Sequence, residues 1–235
     1  MSAEVEPVAA AALGTRLRVR TPVREVSSEA GTVHVVTDSG ELQARAAVVA
    51  TQAHVARALA RDLPEDTRAA LDAISYGPYV LAAFLTNERG PMAWDGLYAV
   101  ACARRSFNLV FNMANVLRPR DLGREPGGSL MAYSGANLGR RLWDEDDARV
   151  RELYLADLDA IFPGAAAVVE EVVVYRWEHG LPFVRPGRAR LQDALERPRG
   201  PLFLAGDYLG TRYTDTAIAT GRAAADAARA YIRSG

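Results

Sequence analysis

A mixed α/β fold, with α+β character in its middle, follows from three features of this sequence. Two short runs, Leu202-Phe203-Leu204-Ala205 and Val48-Val49-Ala50-Thr51, are almost continuously apolar, which suits strands covered on both faces of a parallel sheet. Residues 79–86, 96–101, 107–113 and 129–134 read as strands separated by Gly, Pro and Asn turns, the mark of an antiparallel meander. Residues 144–162 and the segment from Tyr213 to Ile232 carry helical spacing and stand one on each side of a further strand at 168–177.

Element by element, residues 4–13 read as the end of a helix that Gly14 closes as its C-cap. Strands follow at 16–20, 23–27 and Thr32–Thr37, punctuated by Ala30-Gly31, and Asp38-Ser39-Gly40 turns the chain into a return strand at 41–46. After the apolar run at 48–51 come helices at 54–61 and 66–74, and Gly77-Pro78 is expected to break the chain before the meander. The helix at 144–162 has an apolar stripe of Val150, Leu153, Tyr154, Leu158 and Ile161. Asp144-Glu145-Asp146-Asp147 sets its start, since negative charge favours a helix N-terminus, and Pro163-Gly164 stops it.

Composition excludes several classes. The chain of 235 residues is 49% hydrophobic and 24% charged with net charge −1, which points away from nucleic acid as a partner. All 28 basic residues are arginine, scattered among acids rather than gathered in a patch. Cys102 is the only cysteine, so neither an intramolecular disulfide nor a cysteine metal cluster can form. His34, His54 and His179 match no compact ligand motif, so no metal site is expected, and the acids at 144–147 read as helix-start chemistry. The N-terminus lacks the basic region of a signal peptide, and residues 8–13 are too short to span a bilayer. A cytoplasmic protein with no clear membrane segment is the expectation.

The most informative stretch is Leu202-Phe203-Leu204-Ala205-Gly206-Asp207, continuing through Tyr208 and Tyr213-Thr214-Asp215-Thr216-Ala217 into a helix rich in small residues that carries Gly221. Asp207 emerges at the carboxyl end of a buried strand, where open α/β sheets hold ligands. The following helix offers unpaired N–H groups. An ordinary strand, turn and helix would look the same at this level.

This segment resembles the C-terminal flavin-binding motif of the flavin-containing amine oxidase superfamily, which groups amine oxidases, protoporphyrinogen oxidases and phytoene-desaturase-like enzymes. The resemblance extends to Pro22-Val23 and to Ala50-Thr51, in the family's order. It implies non-covalent FAD, with Gly206 and Asp207 at the ribityl chain. The amides of Thr214, Asp215, Thr216 and Ala217 would face the flavin pyrimidine edge, the Val23 backbone the adenine edge, and Tyr213 would lie beside the ring. It further implies an incomplete FAD-binding Rossmann-like domain formed by residues 1–62 and 184–235, and a mostly antiparallel-sheet substrate domain with helices at 63–183. The implied reaction is hydride transfer from a C–N or C–C bond of a small or bulky organic substrate to FAD.

Departures from the family pattern matter as much. Members open with a strand, a G-x-G-x-x-G turn and a helix that hold the pyrophosphate. Here the only comparable glycines, at 123–128, lack the strand and helix around them. A partner chain supplying that half, a truncated or split enzyme, and a non-catalytic interaction subunit or inactive remnant all remain open. An isolated half would expose strand edges, so association or poor solubility is expected. Amine oxidases proper also carry a Lys near the flavin and an aromatic cage, yet the sequence holds no Lys, and Tyr213 is the one clear cage match. A protoporphyrinogen-oxidase-like or desaturase-like reaction is therefore an equal expectation.

Trp177, in the run Arg176-Trp177-Glu178-His179-Gly180-Leu181-Pro182, is expected to be buried with an edge in the substrate cavity, after which a loop follows. His179 is a candidate acid or base, or a solvated loop residue. Tyr76, Tyr79, Phe84, Trp94, Tyr98, Phe107 and Phe111 are read mostly as core, and Arg104-Arg105 and Arg140-Arg141 as solvated edges.

Overall fold

The computed structural model describes residues 2–117, 126–197 and 200–234, so part of the glycine-containing run at 123–128 lies outside the described residues. The chain divides into two compact units, Met1–Ile74 with Arg185–Gly235 and Ser75–Val184.

The first unit begins with helix α1 (Ser2–Leu13), followed by Gly14 in the left-handed region at φ 54°. Residues 16–20 do not form the expected strand. The alternation of Arg16, Arg18 and Arg20 with Leu17 and Val19 has period 2, but a strand needs a neighbour. Instead Gly14–Arg16 makes a 3-10 turn, and the Arg16 guanidinium donates back to the Leu13 and Ala12 carbonyls.

A three-stranded antiparallel sheet follows, in the order β1 (Val23–Glu29), β2 (Thr32–Thr37) and β3 (Gly40–Ala44). Its first hairpin turns at Ala30 and Gly31, both at positive φ (49° and 82°), which matches the right-handed twist of the strands it joins. Val26 and Val33 of this sheet are buried. Then come β4 (Ala47–Val49), α2 (Ala53–Leu59) and α3 (Glu65–Asp72). Residues 63–74 belong to this unit, not to the second as the sequence division has it: the Thr67 hydroxyl donates 2.8 Å to the Ala194 carbonyl.

Five strands form the sheet of the second unit: β5 (Tyr76–Thr86), β6 (Ala99–Ala101), β7 (Leu109–Asn112), β8 (Gly128–Gly135) and β9 (Val169–Pro182), in the order β6-β7-β8-β5-β9, all antiparallel. Gly77-Pro78 is not a break. Both lie inside β5, where a register shift between Gly77 and Tyr79 accommodates a proline that cannot donate to the ladder. Three helices accompany the sheet, the short α4 (Ala114–Leu117), α5 (Ala136–Leu142) and α6 (Asp147–Ile161).

α6 starts three residues later than its acidic run suggests, because Asp146 is the cap: its Oδ1 accepts the Arg149 N–H at 2.7 Å, an arrangement worth about 1 kcal/mol. Val150, Tyr154 and Leu158, spaced by four, are fully buried and meet Val80, Ala82, Phe84, Phe107, Leu130 and Ala132 of the sheet side. Each such side chain contributes about 1.5–3 kcal/mol through burial. Tyr154 also brings a polar tip into this core, where it donates to the Val80 carbonyl at 3.0 Å and pairs with the Ser134 hydroxyl.

The chain returns to the first unit with α7 (Gln192–Glu196), β10 (Leu202–Leu204) and α8 (Thr214–Ser234). β10 pairs parallel with β4 in a sheet of only these two strands, Leu202 opposite Ala47 and Leu204 opposite Val49. The mixed α/β class read from the sequence is the class adopted, with the parallel part small and the antiparallel part complete. Among the described residues no helix is long and apolar enough to cross a membrane.

Candidate functional site

The β4/β10 pair brings together two motifs some 150 positions apart in the sequence. The Ala47 N–H donates to the Pro201 carbonyl at 2.9 Å and the Ala205 N–H to the Val49 carbonyl at 3.1 Å, so Ala50-Thr51 and Gly206-Asp207 leave the sheet at the same end. Gly206 has φ 156°, and a Cβ built there would stand 2.5 Å from the Tyr208 ring and 3.4 Å from the Thr51 carbonyl. Only glycine fits this turn.

Asp207 opens a 3-10 turn, Asp207–Leu209, whose Tyr208 and Leu209 are buried. Its carbonyl accepts N–H bonds from Gly210 (3.3 Å) and Arg212 (3.2 Å), which curls the loop back towards α8. The half-buried carboxyl has its pKa raised by desolvation, an effect opposed by the N–H groups of Tyr208 and of Asp207 itself. A carboxylate in this position gains from a hydroxyl donor that replaces lost water.

Thr214, Asp215, Thr216 and Ala217 form the first turn of α8. Thr214 and Asp215 are exposed and Thr216 is buried. Thr216 fixes the loop with its hydroxyl, which accepts the Thr211 N–H at 3.1 Å and pairs with the Thr211 hydroxyl. The Ala217 amide donates to the Tyr213 carbonyl at 3.2 Å, so the candidate donors of this turn narrow to the amides of Thr214, Asp215 and Thr216, which precede the first intrahelical bond. Tyr213 is 55% exposed, with the Arg212 guanidinium 5.6 Å from its ring centroid. Arg212 holds a positive φ of 67°, a conformation that costs a non-glycine residue about 1 kcal/mol or more.

Val23 starts β1 in the other sheet of the same unit, opposite Thr37. Trp177 lies in the second unit and is 60% exposed rather than buried. The expected loop after it is absent, since β9 runs on to Pro182 and takes His179 into the strand, its ring edge-on to Tyr76 at 5.9 Å. Of the aromatics read mostly as core, Phe84, Trp94 and Phe107 are buried and Tyr98 is 64% exposed. Burial pushes the Cys102 thiol up, away from a reactive thiolate. Among the described residues no group of three or more His, Cys, Asp or Glu could hold a metal ion.

Three residues that sequence reasoning passed over hold the Asp207 turn. The Arg188 guanidinium donates to the Tyr208 carbonyl, the Gln192 amide donates to the Leu209 carbonyl at 2.7 Å, and the Thr220 hydroxyl accepts the Gly206 N–H at 3.1 Å. The one signal in the sequence was Thr216 and Thr220, spaced by four in a helix otherwise dominated by alanine, since a helical Thr hydroxyl turns readily to backbone partners.

The donor set fits one end of a flavin dinucleotide. A carboxylate is present for ribityl hydroxyls, and amides are present for the ring carbonyl and nitrogen acceptors. No glycine-rich cradle for a pyrophosphate stands among the described residues.

The family model described as flavin containing amine oxidoreductase matches residues 1–229 of this chain. No curated protein sequence matches. Among solved structures, cyclohexylamine oxidase from Brevibacterium oxydans IH-35A aligns with TM-score 0.78 at 16% identity, covering 98% of this chain and 53% of that one. Wild-type putrescine oxidase bound to putrescine aligns with TM-score 0.77 at 19% identity, over 95% and 51%. A protein assigned as a protoporphyrinogen oxidase from Exiguobacterium sp. 255-15 gives 0.65 at 19%, over 86% and 45%. The chain thus spans about half the length of the solved structures it matches, and at these identities they show the fold.

Proposed function

We propose, since the chain belongs to the flavin-containing amine oxidoreductase family, that it forms the ribityl and flavin end of an FAD site in an oxidoreductase. The observation that carries this reading is the Asp207 carboxyl at the end of β10, beside the open first turn of α8. Bound non-covalently, FAD would supply the acceptor for the hydride that leaves a substrate carbon as its C–N or C–C bond is oxidised to a double bond, the neighbouring atom giving up a proton. Asp207 accepts hydrogen bonds from the ribityl hydroxyls, and the amides of Thr214, Asp215 and Thr216 donate to the pyrimidine edge of the ring. Gly206 lets the backbone approach closely. Tyr213 provides an aromatic face for the ring side, and the backbone of Val23 meets the adenine edge.

The Met1–Ile74 and Arg185–Gly235 unit is the cofactor-binding part in this reading, and Ser75–Val184 is the substrate-binding part. Trp177 presents an exposed indole to an organic substrate. A segment carrying G-x-G-x-x-G, outside these 235 residues and on the same or a second chain, supplies the pyrophosphate end. With no Lys in the sequence, this chain offers no amine near the flavin, which favours desaturase-like or protoporphyrinogen-oxidase-like chemistry alongside amine oxidation.

Titrating riboflavin and ADP into the chain and following flavin fluorescence tests the assignment. Riboflavin should be quenched on binding, and Asp207→Ala should abolish the quenching. Equal quenching by the wild type and by Asp207→Ala would contradict the role given to Asp207.

A further inference from the structure

The Thr220 hydroxyl is shared between the Asp207 turn and α8. It accepts the Gly206 N–H at 3.1 Å and donates within α8, best to the Thr216 carbonyl at 2.8 Å, with the Ala217 and Gly206 carbonyls further off at 3.3 and 3.1 Å. One hydroxyl has one proton and two lone pairs, so acceptance from Gly206 and donation to Thr216 are satisfied together. The effect is to tie the backbone one residue before Asp207 to the first turn of α8, where Thr214, Asp215 and Thr216 present their amides.

The other side of the turn is held separately. Arg188, in the turn before α7, reaches the Tyr208 carbonyl, and Gln192, the first residue of α7, reaches that of Leu209. Gly206 cannot stiffen the turn itself, because glycine is the most permissive residue in the chain. Thr220 supplies the constraint that Gly206 lacks.

We propose that Thr220 is a positioning residue that fixes the Asp207 carboxyl relative to the α8 amides, so that one ligand engages both. The proposal rests on the assignment of Asp207 and α8 to the flavin end. Thr220 itself touches no ligand. Its geometry matters because a carboxylate and a row of amides engage two parts of one ligand most tightly when their separation is fixed beforehand. Valine at 220 keeps the shape and removes both hydrogen bonds, while serine keeps the hydroxyl and loses only a methyl group.

The test compares the full chain with Thr220→Val and Thr220→Ser by two readouts. In carbon-13 NMR titrations of the Asp207 carboxyl, Thr220→Val should bring the pKa back from its raised position towards the ordinary aspartate range, and Thr220→Ser should leave it as in the wild type. In flavin-fluorescence titrations with riboflavin, Thr220→Val should bind roughly tenfold or more weakly, the loss expected when a charge-assisted contact is misplaced, and Thr220→Ser should restore binding. An unchanged Asp207 titration in folded Thr220→Val would overturn the proposal, as would unchanged riboflavin affinity in that variant when Asp207→Ala binds weakly. If the wild type itself binds no flavin, the functional assignment fails, and the Asp207 titration still decides the role of Thr220. Should Thr220→Val not fold, hydrogen exchange at the Gly206 amide of the wild type decides: slow exchange supports the clamp, and exchange at the rate of an open amide contradicts it.

Discussion

The second unit is built on one five-stranded antiparallel sheet, whereas the first divides its strands between a three-stranded antiparallel sheet and a parallel pair of three residues per strand. In the former, β5 is paired on both edges, and fully buried Val80, Ala82 and Phe84 meet α6. In the latter, Ala47 and Val49 bond to β10, so by strand alternation the N–H and C=O of Val48 point away from it. The Val48 side chain is 37% exposed. Parallel sheets are normally buried between neighbours on both edges and faces, so the candidate cofactor site lies at the end of the sheet that is least closed, not in the five-stranded one. The site sits in the unit that has more to gain from further contacts, and Val48 marks the edge where another strand would add.

If that comparison is right, calorimetry of the chain should resolve two transitions, the lower one from the unit containing Val48, and the chain should associate through its open sheet edge. The largest expected effect on the upper transition comes from Gly139→Ala. A Cβ there would stand 2.4 Å from the Pro78 carbonyl and 2.6 Å from that of Ser134, backbone atoms that cannot step aside, and the cost should be about 3 kcal/mol. The lower transition should hold its place. A single transition that moves as a whole would show the two units to be one cooperative body.

Tyr154→Phe should lower the upper transition by about 1 kcal/mol at neutral pH, through loss of the bonds to Val80 and Ser134. Burial pushes the Tyr154 hydroxyl from 10.0 up to about 12. Because its pKa is raised in the folded state, its contribution is fully present below pH 10 and is lost as pH rises through about 12. Thermal melts between pH 9 and about 12 should therefore bring the wild type and Tyr154→Phe together.

The smallest effect, and opposite in sign, is expected from Asp207→Asn. Burial raises the carboxyl pKa, so the ionised group disfavours the ligand-free fold above that value, and its favourable protonated form dominates only below the ordinary aspartate range. Melts at neutral pH should show the lower transition slightly raised in Asp207→Asn, with the gain disappearing in acid. A neutral or lowered midpoint at pH 7 would mean that the carboxylate is held by more than the turn amides. A stability cost of this kind is common where a group serves a ligand rather than the fold.

Much of this arrangement was legible in the sequence where local chemistry and long-range order agree. Continuous apolar runs marked β4 and β10, Asp146 capped α6, and Ala30-Gly31 turned the first hairpin. Residues 16–20 misled because strand periodicity says nothing about whether a partner strand is near. Gly77-Pro78 misled because a register shift next to β9 absorbs the proline. At the site, Gly206 and Asp207 were visible as a motif, but Thr220, Arg188 and Gln192 were not, since their roles lie in hydrogen bonds to loop backbone 14 to 20 residues away in the chain. Trp177 looked like a core residue by type, and its exposure depends on its position on an edge strand that no local pattern encodes.

Whether the Asp207 turn and the start of α8 form the flavin end of a cofactor site is decided by co-expressing this chain with a segment bearing the G-x-G-x-x-G turn and recording the visible absorbance of the purified pair. Flavin bands in the wild-type pair that vanish in Asp207→Ala are the predicted result; a colourless wild-type pair, or flavin bands that survive Asp207→Ala undiminished, would contradict that assignment.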